Sequence, residues 1–203
     1  MVASGEAERR QLTVLFCDLV GSTQIASEVG AEEWLGLLKS YQKRVAEIVE
    51  RFDGSIAQFL GDGVVAYFGH PHAHEDDAER AVRAGLAVAE AFVPGAATEL
   101  KARSASQLAV RCGVHTGVVV IGEMGSGAQL ETLAVGATSD IAARIQGEAK
   151  PGQVLVSADT LRLVRGLFVT EDLGSQALDG VAAPAQLYRV IRPTGATTRQ
   201  TLI

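Results

Sequence analysis

Apolar residues recur at intervals of three and four over residues 31–52, which predicts a long amphipathic helix. Gly54 follows the last of them by two positions, where a helix C-terminal cap is expected. Similar spacing predicts a second helix over residues 75–93, whose first turn carries acidic residues that the helix dipole favours. A third helix is predicted to start near Thr138 and to end before Pro151.

Short continuous apolar runs between these helices predict buried strands, the first of them over residues 12–17. Runs over 55–60 and 64–68 lie on either side of Asp62-Gly63, and an Asp-Gly pair between apolar runs is typical of a tight β-hairpin. A short helix is expected near 158–164. The other predicted strands are residues 108–115, 117–122, 130–135, 154–156, 167–169 and 186–190.

The order of these elements is strand, helix, hairpin, helix, strands, helix and strands. This order predicts an α+β sandwich in which helices cover a mostly antiparallel sheet. A single domain over residues 11–191 is expected within the 203-residue chain. Polar flanks over residues 1–10 and 192–203 are predicted to be a flexible N-terminus and a flexible C-terminal tail.

Composition and net charge limit the classes of molecule that the chain is expected to bind. Hydrophobic residues make up 47% of the chain, enough for a full core, and the net charge of −6 comes without a basic stripe. This charge argues against nucleic acid or an anionic membrane as the main partner. No apolar stretch approaches the ~20 residues needed to cross a bilayer, and the N-terminus has no apolar signal core. We therefore expect a cytoplasmic protein.

Cysteine and histidine residues offer less specific signals. Cys17 and Cys112 lie in apolar runs, which favours buried, reduced thiols over a disulfide. His115 falls in a predicted strand and is expected to be packed or hydrogen-bonded. A zinc site would need further nitrogen or sulfur ligands close by, so solvated loop histidines are the favoured interpretation of three others. These are His70, His72 and His74.

Two aspartates are the strongest candidates for chemistry. Asp18 lies where a predicted buried strand ends at a glycine-containing loop, and Asp62 lies at the tip of the predicted hairpin. If the strands are neighbours, the two carboxylates can share one metal site, because Mg²⁺ prefers one or two carboxylates with phosphate oxygens and water. Each aspartate also has a purely structural interpretation, since Asp is a common turn and loop residue.

Other polar residues could contact a phosphorylated ligand. The backbone N–H groups of Gly21, Ser22 and Thr23 could bind an anion, although no Gly-Lys-Ser/Thr of a Walker loop follows them. Asp140 and Arg144 are four residues apart on the third helix and share a face. They could form a surface ion pair worth a few tenths of a kcal/mol, or Arg144 could stabilise charge on a phosphate.

Four segments in this order closely resemble the class III adenylyl/guanylyl cyclase catalytic domain. They are TVLFCDLVGST, FLGDGVVAYF, VRCGVHTGVVVIGEMG and VGATSDIAARIQ. The resemblance runs from about residue 10 to 191, and it is nearest to the bacterial domains often fused to ATPase and repeat regions. It implies the ferredoxin-like nucleotide cyclase fold, and it implies that regulatory domains of a longer chain are among the partners.

The resemblance also implies the chemistry. The substrate would be a nucleoside triphosphate, ATP or alternatively GTP, and the product a 3′,5′-cyclic nucleotide with pyrophosphate. Two Mg²⁺ or Mn²⁺ ions per site would be held by Asp18, Asp62 and the Leu19 carbonyl. The backbone of residues 21–23 would bind the phosphates. The active unit would be a head-to-tail homodimer, in which Arg144 acts in the site of the other subunit.

Several positions depart from the family pattern. Gln58 stands in place of the purine-reading lysine, and Leu133 in place of its partner, with Thr132 one position away. The ribose-steadying asparagine is replaced by Asp140, which loses the amide donors and adds negative charge. Asp179 stands where the family has a phosphate-binding lysine. This replacement of a cation by an anion should weaken triphosphate binding.

Three hypotheses follow. The first is an active cyclase, and the retention of Asp18, Asp62 and Arg144 favours it. The second is a nucleotide-binding regulatory domain with low or no turnover, which the changes at Asp140 and Asp179 keep open. The third is a dimerisation module without affinity for Mn²⁺-ATP.

Overall fold

The computed structural model describes residues 8–93, 108–126, 129–181 and 183–195, with the side chains of 123–135 left out. The helices are α1 (Ser22–Val29), α2 (Ala31–Arg51), α3 (Asp77–Ala91), α4 (Ala137–Glu148) and α5 (Ala158–Leu163). The strands are β1 (Glu8–Leu19), β2 (Ser55–Leu60), β3 (Gly63–Phe68), β4 (Val110–Ser126), β5 (Gln129–Val135), β6 (Val154–Ser157), β7 (Phe168–Gln176) and β8 (Ala185–Pro193).

The described strands form one sheet in the order β2-β3-β1-β4-β6-β8-β7, with β5 paired to β4. Its strand pairs are antiparallel, apart from the parallel pair of β4 and β6. This arrangement confirms the α+β sandwich with a mostly antiparallel sheet. The predicted hairpin is present as β2 and β3, and the three long helices begin and end within two residues of the predicted bounds.

Some predicted boundaries were wrong. The first strand begins at Glu8, inside the segment predicted to be a flexible N-terminus, because its polar residues pair with the backbone of β4. The runs over 108–115 and 117–122 belong to one long strand, β4, which continues through Gly117 opposite Leu12. Part of the loop predicted after Asp18 is helix α1, and β8 reaches Pro193, inside the predicted C-terminal tail.

The helices cover both faces of the sheet. Residues of α2 and α3 pack on one face with Leu15, Cys17 and Val64 in the largest core cluster. On the opposite face, Ala142 of α4 packs with Val14 in a second cluster. Because side chains alternate along a strand, the residues of β1 that flank Leu15 and Cys17 point toward the face that carries α4. None of the described helices is long and apolar enough to cross a membrane.

Helix α4 lies directly on β4 at Gly113. A Cβ atom added at Gly113 would lie 2.3 Å from the backbone nitrogen of Gln146 and 2.4 Å from the carbonyl oxygen of Ala142. Both of these atoms belong to the helix backbone, which cannot move aside as a flexible side chain can. The distance between α4 and the sheet is therefore set by the absence of a side chain at this position.

We predict that Gly113→Ala lowers the free energy of unfolding by about 2–3 kcal/mol, because the new methyl group forces the helix away from the strand. Gly36→Ala is the matched control, since a Cβ at Gly36 meets no atom within 4 Å, and alanine favours the helix by up to about 1 kcal/mol. Urea denaturation measures both variants. Equal stability of Gly113→Ala and the wild type would contradict the packing described here.

A buried chain of hydrogen bonds crosses the sheet beside α5. The Nδ1 atom of His115 lies 2.8 Å from Ser157 Oγ, which lies 3.3 Å from Thr160 Oγ1. Thr160 continues to Thr116 and Thr13 with oxygen separations of 3.1 and 2.9 Å. Burial lowers the pKa of His115, and Asp159 raises it by a smaller amount. The imidazole is therefore neutral in the folded chain, as expected of a packed and hydrogen-bonded histidine.

We predict that the protein loses stability as the pH falls below about 6.5, the ordinary histidine pKa. The unfolded chain then takes up a proton that the buried His115 does not, so acid favours unfolding. Thermal melts at pH 7.5 and 5.5 measure this loss. His115→Gln, which cannot be protonated, should reduce the difference between the two melting temperatures. His72→Gln, at an exposed loop position, is the control and should leave the difference as it is in the wild type.

Candidate active site

Asp18 lies one residue before the end of β1, between β3 and β4. Its register partner on β4 is Arg111, whose Nη2 donates a hydrogen bond of 3.1 Å to Asp18 Oδ2. The Asp18 side chain is 21% exposed and that of Arg111 is 32% exposed. The pair therefore stands at the edge of the buried interior, where solvent screens it only partly.

Asp62 is brought to the same place by the β2–β3 hairpin. Gly61 takes a left-handed conformation with φ +65°, which turns the chain tightly between the strands. Gln42 of α2 donates a hydrogen bond of 2.9 Å to the Gly61 carbonyl oxygen and holds the turn. The pairing of Cys17 with Val64, continued by two residues, places Asp62 at the level of Leu19, beside Asp18.

The two carboxylates are close enough to influence each other. Burial raises the pKa of Asp18, and the Asp62 carboxyl raises it further, both by hydrogen-bond contact and as a like charge. The Arg111 guanidinium lowers the same pKa. Two half-buried carboxylates that repel each other form a place where a cation is favourable. The structure thus brings together the two aspartates that the sequence singled out, which stand 44 positions apart in the chain.

This donor set fits Mg²⁺ or Mn²⁺ better than a transition metal bound by nitrogen and sulfur. Hard cations take oxygen ligands, and Mg²⁺ uses one or two carboxylates together with substrate phosphates and water. Within the described residues, no group of three or more histidine, cysteine or acidic side chains could hold a metal. Asp18 and Asp62 would therefore hold an ion with help from a ligand. Leu19 is 2% exposed, and because its side chain is apolar, its backbone carbonyl is the group that it could offer to an ion.

Nothing in the sequence pattern singled out Arg111 as a site residue, although it stands in the segment VRCGVHTGVVVIGEMG that resembles the family. The only signal was its place within the strand predicted over residues 108–115, and the register that sets it opposite Asp18 is a long-range property. Its Nη1 donates to the Gly147 carbonyl oxygen at 3.3 Å, and its Nε is buried and lacks a hydrogen-bond partner. The guanidinium therefore has unused donor capacity at the site.

The residues after Asp18 form a helix N-terminus. Gly21 adopts a left-handed conformation with φ +71° and precedes the first residue of α1, Ser22. No side chain caps this end, and the first intrahelical hydrogen bond joins Ile25 N to Gly21 O. The backbone N–H groups of Ser22 and Thr23 therefore have no partner within the helix and are free to bind an anion.

Helix α4 carries the other predicted residues on its solvent side. Asp140 and Arg144 are both exposed, and among the described residues no ion pair joins them. The surface ion pair considered for these residues is therefore wrong for the single chain. Gln146, two residues further along, faces the sheet and contacts Asp18 instead. A single chain thus places Gln146, and not Arg144, against Asp18.

The predicted purine-reading positions lie on different strands. Gln58 is half-buried on β2, opposite Val65 and next to a bulge in the pairing. Leu133 and Thr132 pair with Gly122 and with Glu123 of β4, and their side chains lie outside the described set. Three strands, β3, β1 and β4, stand between β2 and β5 in the sheet. The other altered position, Asp179, is an exposed turn residue.

The loop histidines line a cavity away from these residues. His70 is half-buried, and His72 and His74 are exposed. His74 Nδ1 lies 3.3 Å from Asp77 Oδ1. The cavity has a volume of about 330 Å³, and its lining consists of Glu50, Asp53, Gly54, Ser55, His70, Pro71, His72 and His74.

The cysteines Cys17 and Cys112 are buried and free as predicted, with their sulfur atoms 3.4 Å apart.

Solved structures share this fold. The adenylyl cyclase CyaB from P. aeruginosa superposes with a TM-score of 0.83 at 28% identity, covering 96% of this chain and 98% of that one. The guanylate cyclase domain of RhGC from Catenaria anguillulae, solved in complex with GTP, gives a TM-score of 0.82 at 25% identity. That match covers 92% of this chain and 100% of the other.

Sequence comparisons lead to the same family. Adenylate cyclase 1 of Rhizobium meliloti is 30% identical over 187 residues, which are 91% of this chain and 28% of that protein. The chain thus spans less than a third of this relative. The sequence profile of the adenylate and guanylate cyclase catalytic domain matches residues 6–191. By this match and by its fold, the chain belongs to the adenylate and guanylate cyclase catalytic domain family, the class III nucleotide cyclases.

Proposed function

We propose that this chain is a nucleotidyl cyclase that converts ATP, or alternatively GTP, to the 3′,5′-cyclic nucleotide and pyrophosphate. The observation that carries the proposal is the meeting of the Asp18 and Asp62 carboxyls beside Arg111. Two carboxylates and a guanidinium beside a helix N-terminus suit a metal-bound triphosphate better than an uncharged ligand.

The reaction needs little from the protein beyond placement and charge. The ribose 3′-oxygen forms a bond to the α-phosphorus, the bond from that phosphorus to the bridging oxygen breaks, and pyrophosphate leaves while the hydroxyl proton passes to solvent. Two Mg²⁺ or Mn²⁺ ions, when bound, supply activation of the hydroxyl and stabilisation of the leaving phosphate. Asp18, Asp62 and the Leu19 carbonyl are the groups of this chain that would hold them.

The phosphates have their own partners near the aspartates. The free N–H groups of Ser22 and Thr23, together with Gly21, would bind the β- and γ-phosphates. Arg111 now neutralises Asp18, and a cation at the aspartates would leave its guanidinium available to a phosphate oxygen. Arg111 would thus pair with Asp18 before the metal binds and with a phosphate afterwards. This explains why a positively charged residue stands beside two proposed metal ligands.

A second copy of the chain would complete the site. Arg144 lies on the solvent side of α4, whereas the sheet side of that helix faces Asp18 of its own chain. Within a homodimer, Arg144 would act at the aspartates of the partner and stabilise charge on the α-phosphate, and its exposure in the single chain supports this role. Asp140 lies four residues earlier on the same helix and would face the ribose.

The base would be read by Gln58 of one chain and by the Thr132–Leu133 segment of the other. The Gln58 amide offers both a donor and an acceptor, so it can pair with adenine or guanine. The related proteins include both an adenylyl cyclase and a guanylate cyclase domain bound to GTP. We propose ATP as substrate and keep GTP as the alternative.

The setting of the domain is also part of the proposal. A cytoplasmic location would supply nucleoside triphosphates and keep Cys17 and Cys112 reduced. Because the chain matches 28% of Adenylate cyclase 1, regulatory domains in a longer protein are the expected source of control. Neither nucleic acid nor a membrane is an expected partner, since the net charge is −6.

A nucleotide-binding regulatory domain with little turnover is the second candidate. The observation that favours it is negative charge at two exposed positions, Asp140 and Asp179, where the family pattern has an asparagine and a lysine. Both carboxylates would stand near an anionic substrate and oppose its binding. The two candidates share the metal site and differ in product formation.

We predict that the purified domain with Mn²⁺ and ATP or GTP forms cyclic nucleotide, and that Asp62→Asn lowers the rate on the order of 100-fold by removing a metal ligand. Chromatography of the products measures both. Asp53→Asn is the control, because Asp53 is exposed and its φ of +58° suits asparagine. Nucleotide binding with equal, negligible product from wild type and Asp62→Asn would favour the regulatory domain.

We predict that Asp62→Asn and Arg144→Ala, each with little activity alone, recover activity when mixed. A mixed dimer has one intact site, made of Asp62 from one chain and Arg144 from the other. Equal amounts that exchange freely should reach about a quarter of the wild-type rate, because half of the dimers are mixed and each has one working site of two. A mixture no more active than its components would contradict the shared site.

A further inference from the structure

The side chain of Gln146 reaches from α4 to the aspartate at the end of β1. Its Nε2 lies 3.2 Å from Asp18 Oδ2 and donates a hydrogen bond to it across 128 positions of sequence. Gln146 is 5% exposed, so this amide is withdrawn from water and its partner in the protein is important. No feature of the local sequence pattern singled out this residue.

The last turn of α4 holds Asp18 in two ways. Gln146 donates to Oδ2 directly, and the Gly147 carbonyl accepts a hydrogen bond of 3.3 Å from the same Arg111 that donates to Oδ2. Gln146 and Arg111 thus both donate to the same carboxylate oxygen of Asp18, Oδ2. Arg111 and Gln146 therefore hold the carboxylate at Oδ2, and neither of these hydrogen bonds occupies Oδ1.

The backbone of Gln146 is held against the sheet as well. The atom nearest to the Cβ position of Gly113 is the Gln146 nitrogen, at 2.3 Å, so helix and strand touch without an intervening side chain. The distance from the Gln146 backbone to β1, the next strand along, is thereby set by packing. An amide fixed in this way can set the direction of the Asp18 carboxylate.

We propose that Gln146 is a positioning residue for the metal site, orienting the Asp18 carboxylate through Oδ2 and tying it to the helix that carries Arg144. The inference rests on the proposed function, because it takes Asp18 as a metal ligand. Hydrogen bonds to the far oxygen of a ligating carboxylate keep the ligand oriented, and their loss typically costs about 10–100-fold in metal affinity.

Arg111 and Gln146 have different parts in this arrangement. Arg111 carries a positive charge, so it stabilises Asp18 while no cation is present and opposes a cation near it. The Gln146 amide carries no net charge and can keep its hydrogen bond to Oδ2 whether or not a cation lies at Oδ1. Gln146 therefore supports metal binding, whereas the positive charge of Arg111 opposes it.

The test replaces Gln146 by methionine, which has a similar length and lacks the donor. Mn²⁺ is titrated into the protein in the presence of an ATP analogue with a methylene bridge between the α- and β-phosphates, which cannot be cyclised. Free Mn²⁺ is followed by electron paramagnetic resonance. We expect the Kd for Mn²⁺ to rise about tenfold in Gln146→Met.

Two controls separate the possible results. Gln176→Met removes another amide hydrogen bond, of 2.8 Å to the Leu173 carbonyl oxygen on β7, and should bind Mn²⁺ as the wild type does. Asp18→Asn tests the site itself. If Asp18→Asn binds Mn²⁺ normally, the proposed metal site is wrong. If Asp18→Asn loses binding and Gln146→Met does not, the role of Gln146 alone is overturned.

A further readout distinguishes positioning from general damage. The cyclase rate of Gln146→Met should fall at limiting Mn²⁺ and return toward the wild-type rate at saturating Mn²⁺, because the metal is bound weakly in an otherwise intact site. A rate that stays low at every Mn²⁺ concentration would overturn the proposal. If Gln146→Met gives no cooperative thermal unfolding, Gln146→Leu, which also lacks the donor, is used for the same measurements.

Discussion

The antiparallel pairing of β1 with β4 is the interaction on which the site depends. It joins twelve residue pairs at the centre of the sheet, from Glu8 with Ile121 to Leu19 with Val110, and it sets Asp18 opposite Arg111. Strand β3 pairs with the other side of β1 and brings the hairpin turn with Asp62 to the same end. A shift of one residue in either pairing would turn these side chains to the opposite face of the sheet.

The site combines opposite charges in a half-buried place. Two carboxylates repel each other there, one guanidinium offsets part of that repulsion, and a free helix N-terminus adds a further attraction for anions. Such a place favours a ligand that carries both signs of charge, as a metal-bound triphosphate does. Helix α4 presents different residues on its two sides, since Gln146 contacts Asp18 on the sheet side while Arg144 is exposed on the solvent side.

Elements with strong local patterns were predicted well, and elements whose partners lie far away in the sequence were not. The Asp-Gly hairpin and the long helices follow from periodicity and turn chemistry alone. Gly117 interrupts the apolar pattern, so β4 was divided in two. In the sheet it pairs with Leu12, and its missing side chain leaves room for Thr138, whose Oγ1 would lie 2.6 Å from an added Cβ. Helix α1 was missed because it is short and has no buried residue.

The sequence by itself determined the family and the α+β fold class and singled out Asp18 and Asp62, because these depend on local motifs and their order. Only the tertiary structure decided which side chains meet Asp18. Arg111 and Gln146 contact it from 93 and 128 positions away. Contacts of this kind depend on strand register and on how closely a helix packs against the sheet at Gly113. Both are set by burial summed over the whole domain, which no short segment of sequence contains.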